Sequence, residues 1–96
     1  MIDSKTTSMI KDIVRKHLPS TEYKAFLFGS RVAGNHRKFS DVDLGILGNK
    51  PIPSDVFFNL QQDLEDSDIP YIVELLDFSS VAESFKSKAL TNTIPL

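Results

Sequence analysis

The segment YKAFLFGSRVAGNHRKFSDVDLGIL, residues 23–47, decides the fold of this chain because two strand patterns flank a glycine-led turn. Residues 23–28 are a short apolar and aromatic run that predicts a buried strand ending at a sharp turn. Gly29 allows the backbone to approach a ligand closely. Ser30 is a preferred N-cap, and residues 31–33 can form the first turn of a helix. The unpaired amides and positive dipole of that helix end favour a phosphate.

Two carboxylates open the second strand pattern. Asp41 and Asp43 alternate with apolar residues at positions 42, 44 and 46, so they are expected on the opposite face of the strand. Such a pair needs a cation or hydrogen-bond donors, and oxygen-only ligands suit magnesium or manganese. Gly45, on the carboxylate face, is expected to leave space for a ligand. The plainer alternative is that Asp41 starts a turn and Asp43 faces solvent at a sheet edge.

Composition indicates a small globular protein. The chain has 96 residues, of which 41% are hydrophobic and 25% charged, and this predicts a single domain over residues 1–96. The net charge of -2 argues against bulk affinity for nucleic acid. A local excess of cations near the motif could nevertheless attract a nucleoside triphosphate: Lys24, Arg31, His36, Arg37 and Lys38.

Cellular location is predicted from what the sequence lacks. Cysteine is absent, which removes disulfides and thiolate metal sites and is compatible with a reducing compartment. No apolar stretch approaches the roughly 20 residues of a membrane span, and the N-terminus does not resemble a signal peptide. We therefore expect a cytoplasmic protein without membrane contact.

Helical patterns precede and follow the strand patterns. An amphipathic helix is predicted before Pro19, with His17 as a partner of its C-terminal dipole. A second helix should begin near Pro53, capped by Ser54. The capping-box pattern of residues 80–83 predicts a third, short helix to about Leu90, and residues 91–96 are expected to form a tail.

A third carboxylate lies in another strand pattern. Residues 71–78 predict a central strand that Glu74 interrupts, and an acidic group among apolar neighbours requires a cation. Glu74 could complete a metal site with Asp41 and Asp43. Alternatively, it pairs with Lys24 or Arg31, or it lies on the exposed side of the sheet. Asp77, on the opposite strand face, is the second choice for the metal site.

These residues together resemble the signature of the DNA polymerase β-type nucleotidyltransferase superfamily. The forms Gly-Ser-Arg-Val-Ala-Gly at 29–34 and Ser-Asp-Val-Asp-Leu at 40–44 are similar to its minimal nucleotidyltransferase branch. The resemblance covers about residues 5–90. It implies an α/β (α+β) nucleotidyltransferase fold, with a mixed β-sheet flanked by helices, that transfers a nucleoside monophosphate from a triphosphate to a hydroxyl.

The resemblance also implies roles for individual residues. Gly29 and Ser30, with Arg31, would bind the phosphates of the nucleotide. Asp41, Asp43 and Glu74 would be the catalytic residues and hold two magnesium ions, with manganese as an alternative. Glu74 could also help to deprotonate the acceptor hydroxyl.

The minimal branch resembles antitoxins that are encoded with a helical HEPN-type toxin. The implied reaction moves AMP from ATP to a tyrosine of the toxin, so a HEPN-type partner is expected and direct nucleic-acid binding is not. Two alternatives stay open: a non-catalytic antitoxin acting by stoichiometric contact, and an adenylyltransferase for a small molecule such as an aminoglycoside.

Overall fold

A mixed four-stranded sheet with helices forms the framework of the protein, as the sequence predicted. The computed structural model describes residues 3–29 and 42–96 of the chain. In chain order, the elements are α1 (Ser4–His17), β1 (Tyr23–Phe28), β2 (Val42–Gly48), α2 (Ser54–Asp66), β3 (Val73–Asp77), a 3₁₀ turn (Phe78–Ser80), α3 (Glu83–Ala89) and β4 (Ile94–Pro95). No helix in these two ranges is long and apolar enough to cross a membrane.

The strands lie in the order β3-β2-β1-β4, so among the described residues β3 is an edge strand and the prediction of a central strand at 71–78 is wrong. Its buried residues Val73 and Leu75 belong to the main core, so their apolar character reflects burial on one face of the sheet and not a central position. β1 pairs antiparallel with β2 and places Phe28 opposite Asp43. β2 pairs parallel with β3 and places Asp43 opposite Glu74. The register therefore brings the end of β1 and the starts of β2 and β3 to one end of the sheet, where Gly29, Asp43 and Glu74 lie.

One face of the sheet packs against α1 and α2. The alternating apolar residues of β2 are fully buried there, as their period predicted. The helices contribute Ile10 and Val14 from α1 and Leu60 and Leu64 from α2. His17 lies in the last turn of α1, as expected for a dipole partner, and its Nε2 also contacts the Asp63 carboxylate of α2. This face contains the main core of the protein.

The opposite face carries an aromatic cluster, which we define as Phe26, Phe28, Phe78 and Phe85. The rings of Phe26 and Phe78 are 5.0 Å apart at their centroids, and those of Phe28 and Phe78 are 5.1 Å apart. A Cβ on Gly45 would lie 2.5 Å from the Phe26 ring and 2.7 Å from that of Phe78. The expectation that Gly45 leaves room for a ligand is therefore wrong, because aromatic rings occupy that space.

The C-terminal residues form a strand rather than the expected tail. Ile94 pairs with Leu27 of β1, and the Leu96 amide donates a 3.0 Å hydrogen bond to the Ala25 carbonyl. Only two residues have strand geometry, so the segment gives little local signal in the sequence. Pairing with β1, which is distant in sequence, determines its conformation.

Two predicted helix caps are also wrong. The helix near Pro53 begins as expected, but Pro53 itself is the N-cap and no side chain caps the helix. Likewise, Ala82 is the N-cap of α3, whereas the Ser80 hydroxyl donates to the Asp77 carbonyl at 3.2 Å. Ser80, which the capping box would have required, belongs instead to the 3₁₀ turn before α3. This turn follows β3, which ends at Asp77, one residue before the end of the predicted strand range 71–78.

Candidate active site

Gly29 ends the first strand in a conformation that side chains disfavour. Its φ is 85°, in the left-handed region. A Cβ at this position would overlap the Oδ2 atom of Asp43. Glycine is therefore required both by the backbone conformation and by the close approach of the carboxylate. The sequence predicted a close approach at Gly29, and the nearest group is an acidic side chain of the neighbouring strand.

Asp43 and Glu74 lie on adjacent strands in direct register. Parity along each strand places both side chains on the face opposite the main core, since Val42 and Leu44 point into that core. Asp43 is half-buried and Glu74 is exposed. The structure thus brings together two of the three predicted carboxylates, on the face that the alternating pattern predicted for Asp43.

An open cleft of about 630 Å³ contains these groups. Gly29, Asp43 and Glu74 all line it, and Phe28 and Leu76 complete the wall formed by the sheet. The other wall consists of α3 and the turn after it, with Phe85, Lys88, Ala89 and Asn92. A concave site with a few polar groups among apolar ones is typical of small-ligand binding.

Three predicted site residues lie outside the described ranges. These are Ser30 and Arg31, expected at the phosphates, and Asp41, expected as a metal ligand. Within the described ranges, no group of three or more acidic, histidine or cysteine side chains is placed to hold a metal ion. The predicted triad of Asp41, Asp43 and Glu74 includes a residue that these ranges omit, so it stays a prediction.

The two acidic residues of β3 have different surroundings. Asp77 accepts hydrogen bonds through Oδ2 from the Ile52 amide at 2.8 Å and through Oδ1 from the Ser79 amide at 2.9 Å. The Ser79 hydroxyl also donates to Oδ1, at 2.7 Å. Asp77 thereby connects the loop before α2 to the 3₁₀ turn, and only Glu74 lines the cleft. Of the two candidates in this strand, Glu74 has the position that the predicted site requires.

The donor groups at the cleft fit a hard divalent cation. Asp43 and Glu74 offer carboxylate oxygens from neighbouring strands, and such ligands suit magnesium, which completes its shell with water and phosphate. The two carboxylates thus match magnesium in the type of ligand atom and in lying next to each other on adjacent strands.

The α3 wall was not predicted from the sequence as part of the site. Phe85, Lys88 and Ala89 are spaced as i, i+3 and i+4, the period of one helix face, and Asn92 follows in the turn after the helix. This wall of the cleft therefore combines an aromatic ring and an ammonium group from α3 with an amide from the turn after it. The spacing was visible in the sequence, but the position of this face over the carboxylates was not.

The fold is that of a nucleotidyltransferase, and the chain belongs to the polymerase β nucleotidyltransferase family. The sequence model of that family, described as "Polymerase beta, Nucleotidyltransferase", matches residues 9–96. This confirms the resemblance found in the sequence and identifies the chain as a nucleotidyltransferase.

The chain is also similar to one curated protein and to several solved structures. A Haemophilus influenzae protein named "Probable protein adenylyltransferase MntA" is 34% identical over 85 residues, which span 88% of this chain and 73% of that protein. The fold is also similar to that of a structure of tri-AMPylated Shewanella oneidensis HEPN toxin in complex with MNT antitoxin. That match has a TM-score of 0.73 and 21% identity, and it covers 98% of this chain and 71% of the other. A toxin–antitoxin structure with AMP-PNP gives a TM-score of 0.73 at 24% identity, covering 94% of this chain and 70% of the other.

Proposed function

We propose that this chain is an antitoxin that transfers AMP from ATP to a tyrosine hydroxyl of a HEPN-type toxin, in a magnesium-dependent reaction. The carrying observation is that Gly29, Asp43 and Glu74 line one cleft in a member of the nucleotidyltransferase family. The 34% identity to a protein named as an adenylyltransferase supports a protein acceptor.

The described residues have distinct roles in this proposal. Gly29 leads into the segment with Ser30 and Arg31, which we propose binds the β- and γ-phosphates. Asp43 and Glu74, together with Asp41, are the proposed metal ligands. Magnesium bound there would neutralise negative charge on the phosphoryl oxygens of the nucleotide.

The proposed reaction breaks one phosphoanhydride bond. The acceptor oxygen attacks the α-phosphorus, the bond to the oxygen between the α- and β-phosphates breaks, and pyrophosphate leaves. The hydroxyl proton must move to a base, and Glu74 is the candidate because its carboxylate is exposed in the cleft. Asp43, half-buried beside Gly29, is less accessible to a large protein acceptor.

The test uses the chain together with a purified HEPN-type toxin. The complex is incubated with magnesium and ATP labelled at the α-phosphate, and the toxin is then analysed by intact mass and peptide mapping. We expect label and the mass of one or more AMP groups on a toxin tyrosine. Chelation of magnesium and Asp43→Asn should each remove the modification.

The outcomes separate the competing functions. Transfer of label from the γ-phosphate instead would indicate a kinase and overturn the proposal. Toxin neutralisation that persists with Asp43→Asn and without modification would indicate stoichiometric binding. Label on an added aminoglycoside, but not on the toxin, would indicate a small-molecule adenylyltransferase.

A further inference from the structure

The helix α3 presents a chemically mixed face to the carboxylate cleft. Phe85, Lys88 and Asn92 all line the cleft, opposite a sheet wall that carries Asp43 and Glu74. Neither the family match nor the predicted motif assigns a role to these three residues. Their side chains offer a flat apolar surface, a positive charge and a paired donor and acceptor.

Phe85 is fixed in place while much of its surface stays open. Its ring lies 6.4 Å from the ring of Phe28, in a nearly perpendicular arrangement, and 6.1 Å from that of Phe78. Nevertheless, 46% of the residue is exposed. The ring is thus held by neighbours on one side and accessible from the cleft, an arrangement suited to stacking against a nucleobase.

Phe85 also lies near Gly29, the first residue of the predicted phosphate-binding motif. Its neighbour Phe28 directly precedes Gly29, so the aromatic surface and Gly29 lie at the same end of β1 and line the same cleft. A ligand that spans both would need an aromatic part joined to an anionic part. A nucleotide has this composition.

Lys88 supplies the positive charge that an anionic ligand requires. Among the described residues the ion pairs are His17–Asp63 and Lys50–Glu22, so Lys88 has no ion-pair partner there. Its ammonium group is exposed at a cleft whose sheet wall carries two carboxylates. A cation in this position balances the acidic wall and can attract the phosphate chain.

We infer that Phe85 and Lys88 of α3, together with Asn92 of the turn after it, form a nucleotide-binding subsite in which Phe85 stacks on the base, Lys88 contacts the phosphates and Asn92 hydrogen-bonds the base edge. This inference rests on the proposed function, because it extends the same cleft. An amide can pair with adenine through its donor and acceptor together, so Asn92 is the candidate determinant of base preference.

Equilibrium binding to the complete chain tests the subsite without requiring transfer. ATP, GTP and inorganic tripolyphosphate are titrated by calorimetry in the presence of magnesium. Phe85→Ala should weaken ATP binding about five- to tenfold and leave tripolyphosphate unchanged, because only the base is affected. Lys88→Met should weaken both ligands about tenfold. Asn92→Ala should reduce the preference between ATP and GTP.

Three variants serve as matched controls. Phe58→Ala and Asn59→Ala alter exposed residues of α2, and Lys86→Met alters a lysine of α3 that does not line the cleft. Circular dichroism and the unfolding midpoint identify any variant that fails to fold. If Phe85→Ala does not fold, Phe85→Trp is tested in its place, and it should keep or strengthen ATP binding.

The results distinguish this subsite from the proposed reaction. Wild-type ATP binding that the α3 variants do not change would overturn the subsite alone. Weakened transfer to the toxin with unchanged ATP binding would assign α3 to the protein acceptor and also overturn it. Binding that depends on α3, in a chain that modifies no toxin, would support the subsite and overturn the transfer proposal. Absence of ATP binding by the wild type would overturn both.

Discussion

At the residue scale, the candidate site depends on close packing between a glycine and a carboxylate. The Asp43 side chain lies where a Cβ on Gly29 would be, and the register places Glu74 beside it on the next strand. Asp43 therefore has Gly29 on one side, directly after β1, and Glu74 on the other, from β3. A change in any of these three positions should affect the other two.

We expect Gly29→Ala to reduce both stability and nucleotidyl transfer. An alanine in the left-handed region costs about 1–2 kcal/mol, and its Cβ must also displace Asp43. Urea unfolding and the AMP-transfer assay measure the two effects. In an Asp43→Ala background only the conformational cost remains, so the penalty for Gly29→Ala should be smaller there. Equal penalties in both backgrounds would show that overlap with Asp43 is unimportant.

The two carboxylates of β3 should respond in opposite ways to substitution. Glu74→Gln should abolish transfer with little loss of stability, because the residue is exposed in the cleft. Asp77→Ala should cost about 1.5–3 kcal/mol, since the carboxylate accepts hydrogen bonds from Ile52 and Ser79. Transfer per folded molecule and urea unfolding separate the effects. Loss of transfer in a stably folded Asp77→Ala protein would instead assign Asp77 to the site.

At the element scale, the β3 edge of the sheet is partly closed by one side chain. Gln61 of α2 donates from Nε2 to the Val73 carbonyl at 3.1 Å and accepts at Oε1 from the Leu75 amide at 3.3 Å. The side-chain amide thus bonds the two outward groups that another strand would otherwise pair with. This arrangement protects an edge strand against association.

Gln61→Ala should lower the free energy of unfolding by about 1–3 kcal/mol, because it leaves a partly buried carbonyl and amide without their partner. It should also promote self-association, measured by analytical ultracentrifugation. Gln62→Ala is the matched control: within the described ranges this amide hydrogen-bonds the exposed Asp66 carboxylate, and its loss should change stability by less than about 0.5 kcal/mol. Equal effects of the two substitutions would contradict the edge-protecting role.

The first helix gives a pH-dependent prediction. The pKa of the Asp3 carboxyl lies below its ordinary value of 3.8. The main cause is a hydrogen bond from the Thr6 side chain, and a second cause is one from the Thr6 backbone amide. A depressed folded-state pKa means that this cap contributes stability above pH 3.8 and loses it as the pH falls through the folded-state pKa. The unfolding midpoints of wild type and Asp3→Ala should therefore differ at neutral pH and converge in acid. A constant difference across this pH range would exclude titration of the cap.

Elements with a strong local period were predictable from the sequence, and contacts between distant segments were not. The alternation in β2 was sufficient to place Asp43 opposite the main core. The surroundings of Gly45 depend on Phe26 and Phe78, which belong to other elements, and β4 forms only through its pairing with β1. The Ser80 cap failed for the same reason, because Asp77 and the 3₁₀ turn compete for that serine.

At the scale of the whole molecule, the two faces of the sheet differ in what packs against them. The face under α1 and α2 contains most of the buried apolar side chains, whereas the other carries the cleft, the aromatic cluster and α3. The main core and the candidate site therefore lie on opposite faces of one sheet. Phe78, only 1% exposed, belongs to the cleft face and packs against Gly45, Phe26 and Phe28.

This separation predicts an uneven distribution of local stability, which native-state hydrogen exchange can measure. α3 has no buried residue, whereas α1 buries Ile10, Ile13 and Val14. The α3 amides should therefore open locally and exchange at least about tenfold faster than those of α1, after correction for intrinsic rates. Saturating ATP should slow exchange in α3 and leave α1 unchanged, since the proposed subsite lies on α3. Exchange of α3 at the rate of global unfolding would contradict local opening, and an ATP effect confined to other segments would contradict binding at α3.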